Sequence, residues 1–337
     1  MSTSRLEALT AWYKSLSDRH VSVPVMISGD ASFRKFYRVD EGILMDAPPA
    51  TEKNREFVEL SDLYLRNGIR VPKVLYVDYE QGFLLVDDLG SETMSRHMNA
   101  EESMPLCLRA VKLLVRLAGA GASGLPPFDR EFMLREIDIG TEWYFRRAQG
   151  VTFTPEDEKI VSDASEIMIS NNLGQPQVFM HRDFHCRNIM LSGDGLALVD
   201  FQDSVLGPLT YDLASLIFDC YRDFSEEERS FLIKAFMEEA VERGILGDSA
   251  DFDGFRRAVY ITALQRLYKC AGIFSRLYFR DGKNGYLQYI PRVVHNIGMI
   301  CGMYPELSEL AGLFVKYGRH NPDFADLVDS CSSFKAP

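Results

Sequence analysis

The chain has 337 residues, 46% of them hydrophobic and 26% charged, with a formal net charge of −12. Those values fit a folded globular protein large enough for two lobes, each with its own core. The acidity argues against nucleic acid as a partner, because phosphate backbones require basic surfaces.

The N-terminus, MSTSRLEALTAWYKSLSDRH, reads as an amphipathic helix, with none of the basic-then-apolar order of a signal peptide. Strand patterns follow at residues 21–28, 33–40 and 42–46, the first two joined by a turn containing Gly29, Asp30, Ala31 and Ser32. Residues 50–67 are a helical stretch with Phe57, Leu60, Leu63 and Tyr64 on one face and Asn67-Gly68 as its stop signal. KVLYVD and GFLLVDD read as two further strands. From about residue 100 the pattern is helical, except at 177–200, where short apolar runs are broken by polar turns. The expected class is therefore α+β and bilobal: a small antiparallel β-rich N-lobe over residues 1–90 and a larger, mostly helical C-lobe over 91–337. Ligands of such proteins favour the cleft between lobes.

The densest chemical signal is His181-Arg182-Asp183-Phe184-His185-Cys186-Arg187-Asn188, followed by Val199-Asp200-Phe201. Phosphoryl transfer needs a carboxylate to take the proton of the attacking hydroxyl, and oxygen ligands for Mg²⁺ beside the phosphates. H-R-D-x-x-x-x-N supplies the base, Asp183, and one metal ligand, Asn188; the Asp of the following D-F supplies the other, Asp200. Between them NIML, SGDG and LALV form a hairpin pattern that brings Asn188 and Asp200 to the same end. Amide and carboxylate oxygens suit a hard cation such as Mg²⁺.

This segment resembles the aminoglycoside phosphotransferase and choline kinase superfamily, a branch of the protein-kinase-like fold. The resemblance implies ATP and Mg²⁺ as cofactors. It implies a role for His185 at a phosphate oxygen or in bracing the loop, and a supporting role for His181 and Asp212, the latter in Tyr211-Asp212-Leu213-Ala214. The nucleotide would be met by Gly29, Asp30, Ala31, Ser32, Phe33 and Arg34, and its base by the backbone of Val86, Asp87 and Asp88. The activation segment that ends in A-P-E in protein kinases is absent, which argues against a protein substrate. The third strand, Gly42-Ile43-Leu44-Met45-Asp46, lacks the usual lysine, and alternation along FRKFYRV puts Arg34, Phe36 and Arg38 on one face. Arg34 is the favoured replacement cation.

Gly29–Arg34, Met45-Asp46-Ala47-Pro48-Pro49, Asp200-Phe201-Gln202-Asp203 and Gln265-Arg266-Leu267-Tyr268-Lys269 are similar to a narrower family, the bacterial anomeric kinases of N-acetylmuramate and N-acetylglucosamine. The implied reaction makes the sugar 1-phosphate in cell-wall sugar recycling. Asp203 is then expected to hold sugar hydroxyls, and Arg266 and Lys269, three apart on one helix face, to meet the substrate carboxylate. A solvated polar face is the competing reading for that pair. Another metabolite kinase of the superfamily, acting on aminoglycosides or choline, and a nucleotide-binding pseudokinase remain open alternatives. The six cysteines, at 107, 186, 220, 270, 301 and 331, form no CxxC pair and no zinc-like cluster, so reduced thiols are expected. No apolar run approaches the ~18 residues of a membrane span. A cytoplasmic protein with small-molecule partners and no nucleic acid, membrane or obligatory protein partner is the expectation.

Overall fold

The computed structural model describes residues 4–16, 23–28, 34–98, 103–193 and 195–334. The chain opens with a capping box. Ser4 Oγ accepts the Glu7 N–H and the Glu7 carboxylate accepts the Ser4 N–H, which satisfies two open donors at the start of α1 (Arg5–Ser15). Strands β1 (Val25–Ser28), β2 (Lys35–Val39) and β3 (Gly42–Asp46) follow, then α2 (Asn54–Arg66), β4 (Val74–Asp78) and β5 (Phe83–Val86). The strands form one antiparallel sheet in the order β1-β2-β3-β5-β4.

Side chains alternate across this sheet. Tyr37, Val39, Leu44, Phe83 and Leu85 pack with Leu9 and Tyr13 of α1 in one core cluster. Phe36, Ile43, Met45 and Val86 line a cavity with Arg34 and Arg38, as the alternation along FRKFYRV predicts. Gly42 has φ +151°, and a Cβ there would lie 2.2 Å from the Val86 carbonyl oxygen, so the β3–β5 approach excludes any side chain.

The remaining elements are α3 (Ser103–Ala118), α4 (Arg130–Ile139), a π-helical stretch (Gly140–Ala148), α5 (Pro155–Leu173), β6 (Gln177–Met180), β7 (Ile189–Ser192), β8 (Gly195–Leu198), β9 (Val205–Pro208), α6 (Tyr211–Ile217), α7 (Glu226–Glu242), α8 (Phe252–Phe279), α9 (Ile290–Met303), α10 (Ser308–Tyr317) and α11 (Pro322–Cys331). The sequence reading missed β9, an isolated apolar run too short to carry a period, and the π-helical stretch.

Contacts divide the chain into two compact units. The first joins Met1–His97 to Arg187–Ser204, so the β7–β8 hairpin belongs with the antiparallel sheet; the expected boundary near residue 90 had no means of showing this return. Within that unit Leu191 N–H bonds Glu92 O, Leu198 N–H bonds Arg70 O, and the Tyr64 hydroxyl bonds Ser204 Oγ at 2.8 Å. The second unit holds helices α3 to α11 and the β6–β9 pair. Its axis is α8, buried almost continuously from Val259 to Ser275. Gly272 lets α8 approach the start of the π-helical stretch, where a Cβ would come within 2.1 Å of the Ile139 carbonyl oxygen. None of the six cysteines is in a disulfide, and five of them, Cys186 among these, are buried. Among the described residues no helix is long and apolar enough to cross a membrane.

Candidate active site

In the first unit, β7 and β8 pair from Ile189↔Leu198 to Ser192↔Gly195, and Val199 N–H bonds Asn188 O at 3.0 Å. Asn188 and Asp200 therefore stand together at the open end of the hairpin, as its sequence pattern implies. Both line a cavity of about 540 Å³, a volume suited to a nucleotide-sized ligand. Asp200 has φ +63°, in the left-handed region, and its Oδ1 accepts a hydrogen bond from Gln202 Nε2 at 2.7 Å. Phe201 is buried between Phe57 and Tyr64, with ring centroids 4.9 and 5.4 Å away. That aromatic packing fixes the residue next to Asp200. Asp203 is exposed two residues further on.

The same cavity runs along Val86, Asp87 and Asp88. Asp87 is tied to the chain entering β4: its N–H donates to Lys73 O at 2.9 Å and its Oδ1 accepts from Lys73 N–H at 2.5 Å. Asp88 accepts two bonds from the Arg38 guanidinium, at 2.6 and 3.0 Å, and one from Gly90 N–H. Arg34 lines the cavity too and forms an ion pair with Glu52, Nε to Oε2 at 2.8 Å. Strand β3, where a lysine is usual, brings Ile43 and Met45 to the cavity instead. The nucleotide-binding expectations at Gly29, Asp30, Ala31, Ser32 and Phe33 lie outside the described residues.

In the second unit the loop after β6 is held at both ends by buried carboxylates. Asp212, in the first turn of α6, accepts the N–H of His181 at 2.6 Å and of Arg182 at 2.9 Å, one on each oxygen. Burial pushes the Asp212 carboxyl up to about 7 against the pull of those two donors. Asp219, just past α6, accepts the N–H of Cys186 and of Tyr221, both at 2.9 Å. Arg182 takes φ +75°. Arg182 and Asp200 are the two non-glycine residues with positive φ among the described residues.

Asp183, on this loop, is ringed by cations. Burial alone raises its carboxyl, but Lys269, His185, Arg182 and Arg266 outweigh that and hold it at about 2. His185 packs edge-on against Tyr221, with centroids 5.3 Å apart. Glu136 of α4 organises the cations. Its Oε1 lies 2.9 Å from Arg182 Nη2 and 3.2 Å from Lys269 Nζ, and its Oε2 accepts from the Tyr211 hydroxyl at 3.2 Å. Lys269 also donates to the Tyr211 hydroxyl at 2.8 Å.

Sequence reasoning placed Lys269 and Arg266 together and expected substrate contact, with a solvated face as the alternative. The structure buries both, at 5% and 4% exposure, so the solvated alternative is overturned. Lys269 is engaged by Glu136 and Tyr211, whereas Nε and Nη1 of Arg266 are buried with no hydrogen-bond partner among the described residues. Glu136 and Asp219 were missed. Glu136 sits in REFMLREIDI among other acidic residues, and Asp219 in an apolar stretch, and neither position carries a spacing signal.

Comparison with known proteins identifies the family and the fold. The model of the phosphotransferase enzyme family matches residues 25–245. The N-acetylmuramate/N-acetylglucosamine kinase of Pseudomonas putida is 34% identical over 327 residues, covering 93% of this chain and 96% of its own. The enzyme of the same name from Neisseria meningitidis serogroup B is 36% identical over 299 residues, covering 86% and 89%. Among solved structures, choline kinase LicA from Streptococcus pneumoniae superimposes with a TM-score of 0.62 at 14% identity, over 88% of this chain and all of that one. The ADP-bound aminoglycoside phosphotransferase APH(2'')-Ib gives 0.56 at 13% identity, over 86% and 97%. These two establish the fold: a protein-kinase-like architecture with an antiparallel sheet and a helical lobe.

Proposed function

This chain belongs to the phosphotransferase enzyme family and is a kinase, and from that premise we propose that it transfers the γ-phosphoryl of ATP to the anomeric hydroxyl of N-acetylmuramate and N-acetylglucosamine, giving the sugar 1-phosphates. The names of its curated relatives supply the sugars. The observation that carries the chemistry is Asp183, a carboxylate kept ionised by surrounding cations on a loop anchored at both ends.

In this reading Asp183 orients the C1 hydroxyl and accepts its proton. The sugar oxygen forms a bond to the γ-phosphorus, the bond from that phosphorus to the β-bridging oxygen breaks, and ADP leaves with the electron pair. Arg182, Lys269 and Arg266 keep the base charged until the proton arrives. The backbone of Val86, Asp87 and Asp88 borders the base of the nucleotide, with Arg34 towards its phosphates. Residues 29–33 and His185 are assigned to the phosphates, Asp203 to sugar hydroxyls, and Arg266 to the carboxylate that distinguishes N-acetylmuramate.

Asn188 and Asp200 offer hard oxygen donors at one end of a hairpin, a set that fits Mg²⁺. No group of three or more His, Cys, Asp or Glu among the described residues has metal-binding geometry. A cation held here would complete its shell with phosphate oxygens and water, as Mg²⁺ prefers. When bound, it would neutralise charge on the phosphates. We place the reaction in the cytoplasm, in the recycling of cell-wall sugars.

Incubation with ATP, Mg²⁺ and a panel of N-acetylmuramate, N-acetylglucosamine, aminoglycosides and choline, followed by phosphorus NMR, tests the proposal. An anomeric phosphate doublet from the amino sugars is expected. Turnover confined to the cationic substrates sinks the reading.

A further inference from the structure

The strand that ordinarily carries a kinase's phosphate-pairing lysine has no cation here. Its cavity-facing residues are Ile43 and Met45, both apolar. A triphosphate still requires a positively charged partner in the site, since uncompensated charge is costly away from water. In protein kinases that partner is a strand lysine held by a helix glutamate.

Three arginines line the cavity, and their surroundings separate them. Arg38 makes a two-pronged contact with Asp88 and also donates to Gly90 O, and its side chain is 37% exposed. Arg96 is paired with Glu92 on the rim, 60% exposed. Arg34 is 6% exposed and is the one buried cation lining the cavity among the described residues. The preceding Gly29–Phe33 contains no basic residue to replace it.

Arg34 is also positioned. Glu52 meets its Nε at 2.8 Å with both side chains nearly enclosed, and the Phe57 ring lies 5.6 Å from the guanidinium carbon. Glu52 is itself fixed. Its N–H bonds Pro48 O at 3.0 Å, and Asn54 Nδ2 bonds Ala47 O at 2.8 Å, which ties the entry turn of α2 to the end of β3. A guanidinium is planar and always charged, and its fork of N–H donors matches the geometry of phosphate oxygens.

We infer that the Arg34–Glu52 pair stands in for the lysine–glutamate pair of other kinases, with the cation moved to the start of β2 and the acid to the turn before α2. Arg34 is the phosphate-binding group and Glu52 its positioning residue. The inference rests on the nucleotide reading of the cavity.

The test compares ATP and adenosine binding by calorimetry, ATP with Mg²⁺ present. In the double variant Arg34→Met with Glu52→Gln, which leaves no orphaned buried charge, ATP affinity falls by about tenfold to a hundredfold, as for loss of a charged hydrogen bond. Adenosine, which has no phosphate, binds as to the wild type and reports that the cavity is folded. Arg34→Lys keeps most of the ATP affinity. Glu52→Gln alone raises KM for ATP and leaves KM for the sugar unchanged. A double variant that binds ATP as tightly as the wild type, or that loses ATP and adenosine in equal proportion, overturns the inference. Wild-type protein that binds neither ATP nor adenosine overturns the nucleotide reading itself.

Discussion

The ammonium of Lys269 lies 3.2 Å from the Glu136 carboxylate with both side chains buried, and Lys269 is the largest of the charges holding Asp183 ionised. Replacing Lys269 by Met removes that charge and leaves burial less opposed, so the Asp183 pKa rises. For an acid whose folded pKa lies below its unfolded value of 3.8, the stability contribution is complete above 3.8 and disappears as pH falls towards about 2. Lys269→Met loses part of that contribution. Its kcat/KM profile gains an acid limb at higher pH than the wild type. Superimposable acid limbs in a pH-rate series would rule out this electrostatic role for Lys269.

Asp219 closes the loop from the far side. Truncation to Ala leaves the buried N–H of Cys186 and the N–H of Tyr221 without their acceptor. Unmet buried donors cost about 1–3 kcal/mol each. We expect Asp219→Ala to lose about 2–5 kcal/mol in urea unfolding on the same principle, and kcat to fall with it. Asp219→Asn keeps one acceptor oxygen and shows a smaller loss. Equal losses for the two variants would exclude the hydrogen bonds as the cause.

What the chain revealed in advance follows from how local each signal is. Asn188 and Asp200 stand at the two open ends of one hairpin, and a β-hairpin fixes its own register, so their standing together was legible without tertiary information. Residues that act from other elements were not. Glu136 reaches Arg182 across 46 positions of sequence, and an isolated glutamate on a helix looks the same whether it faces water or a buried lysine. The helical spacing of Arg266 and Lys269 was read correctly, but a period of 3.6 identifies a wet face only when the helix has one. Helix α8 is enclosed on every side through its middle turns. The π-helical stretch has no composition rule that separates GTEWYFRRA from ordinary helix.

Close approach at Gly272 gives a stability prediction. A Cβ at this position would sit 2.1 Å from the Ile139 carbonyl oxygen and 2.7 Å from the Gly140 Cα, both backbone atoms that no rotamer change relieves. Gly272→Ala therefore forces α8 away from the π-helical stretch, at a cost of about 1–3 kcal/mol or more. Thermal unfolding checks it. An unchanged melting temperature would show that the two elements are not locked there.

Arg266 carries buried guanidinium nitrogens with no hydrogen-bond partner among the described residues, and its charge acts on Asp183. With Arg266 assigned to the substrate carboxylate, Arg266→Gln penalises N-acetylmuramate more than N-acetylglucosamine. The ratio of their kcat/KM values shifts by about tenfold or more, the scale of one charged hydrogen bond. Equal losses on both sugars would restrict Arg266 to its electrostatic effect on the base.

Backbone strain at Asp200 separates stability from activity. Its φ of +63° is disfavoured for a residue with a Cβ, by roughly 1–2 kcal/mol, and glycine adopts it without that cost. Asp200→Ala and Asp200→Gly both remove the carboxylate and its bond to Gln202, so both lose turnover. They differ in the backbone term alone. Asp200→Gly is accordingly the more stable of the two, by about 1 kcal/mol, and melts at the higher temperature. Such a result identifies the strained conformation as one kept for aiming the carboxylate, since a relaxed alternative is a single substitution away. If the alanine variant melts as high as the glycine variant, the position stores no strain.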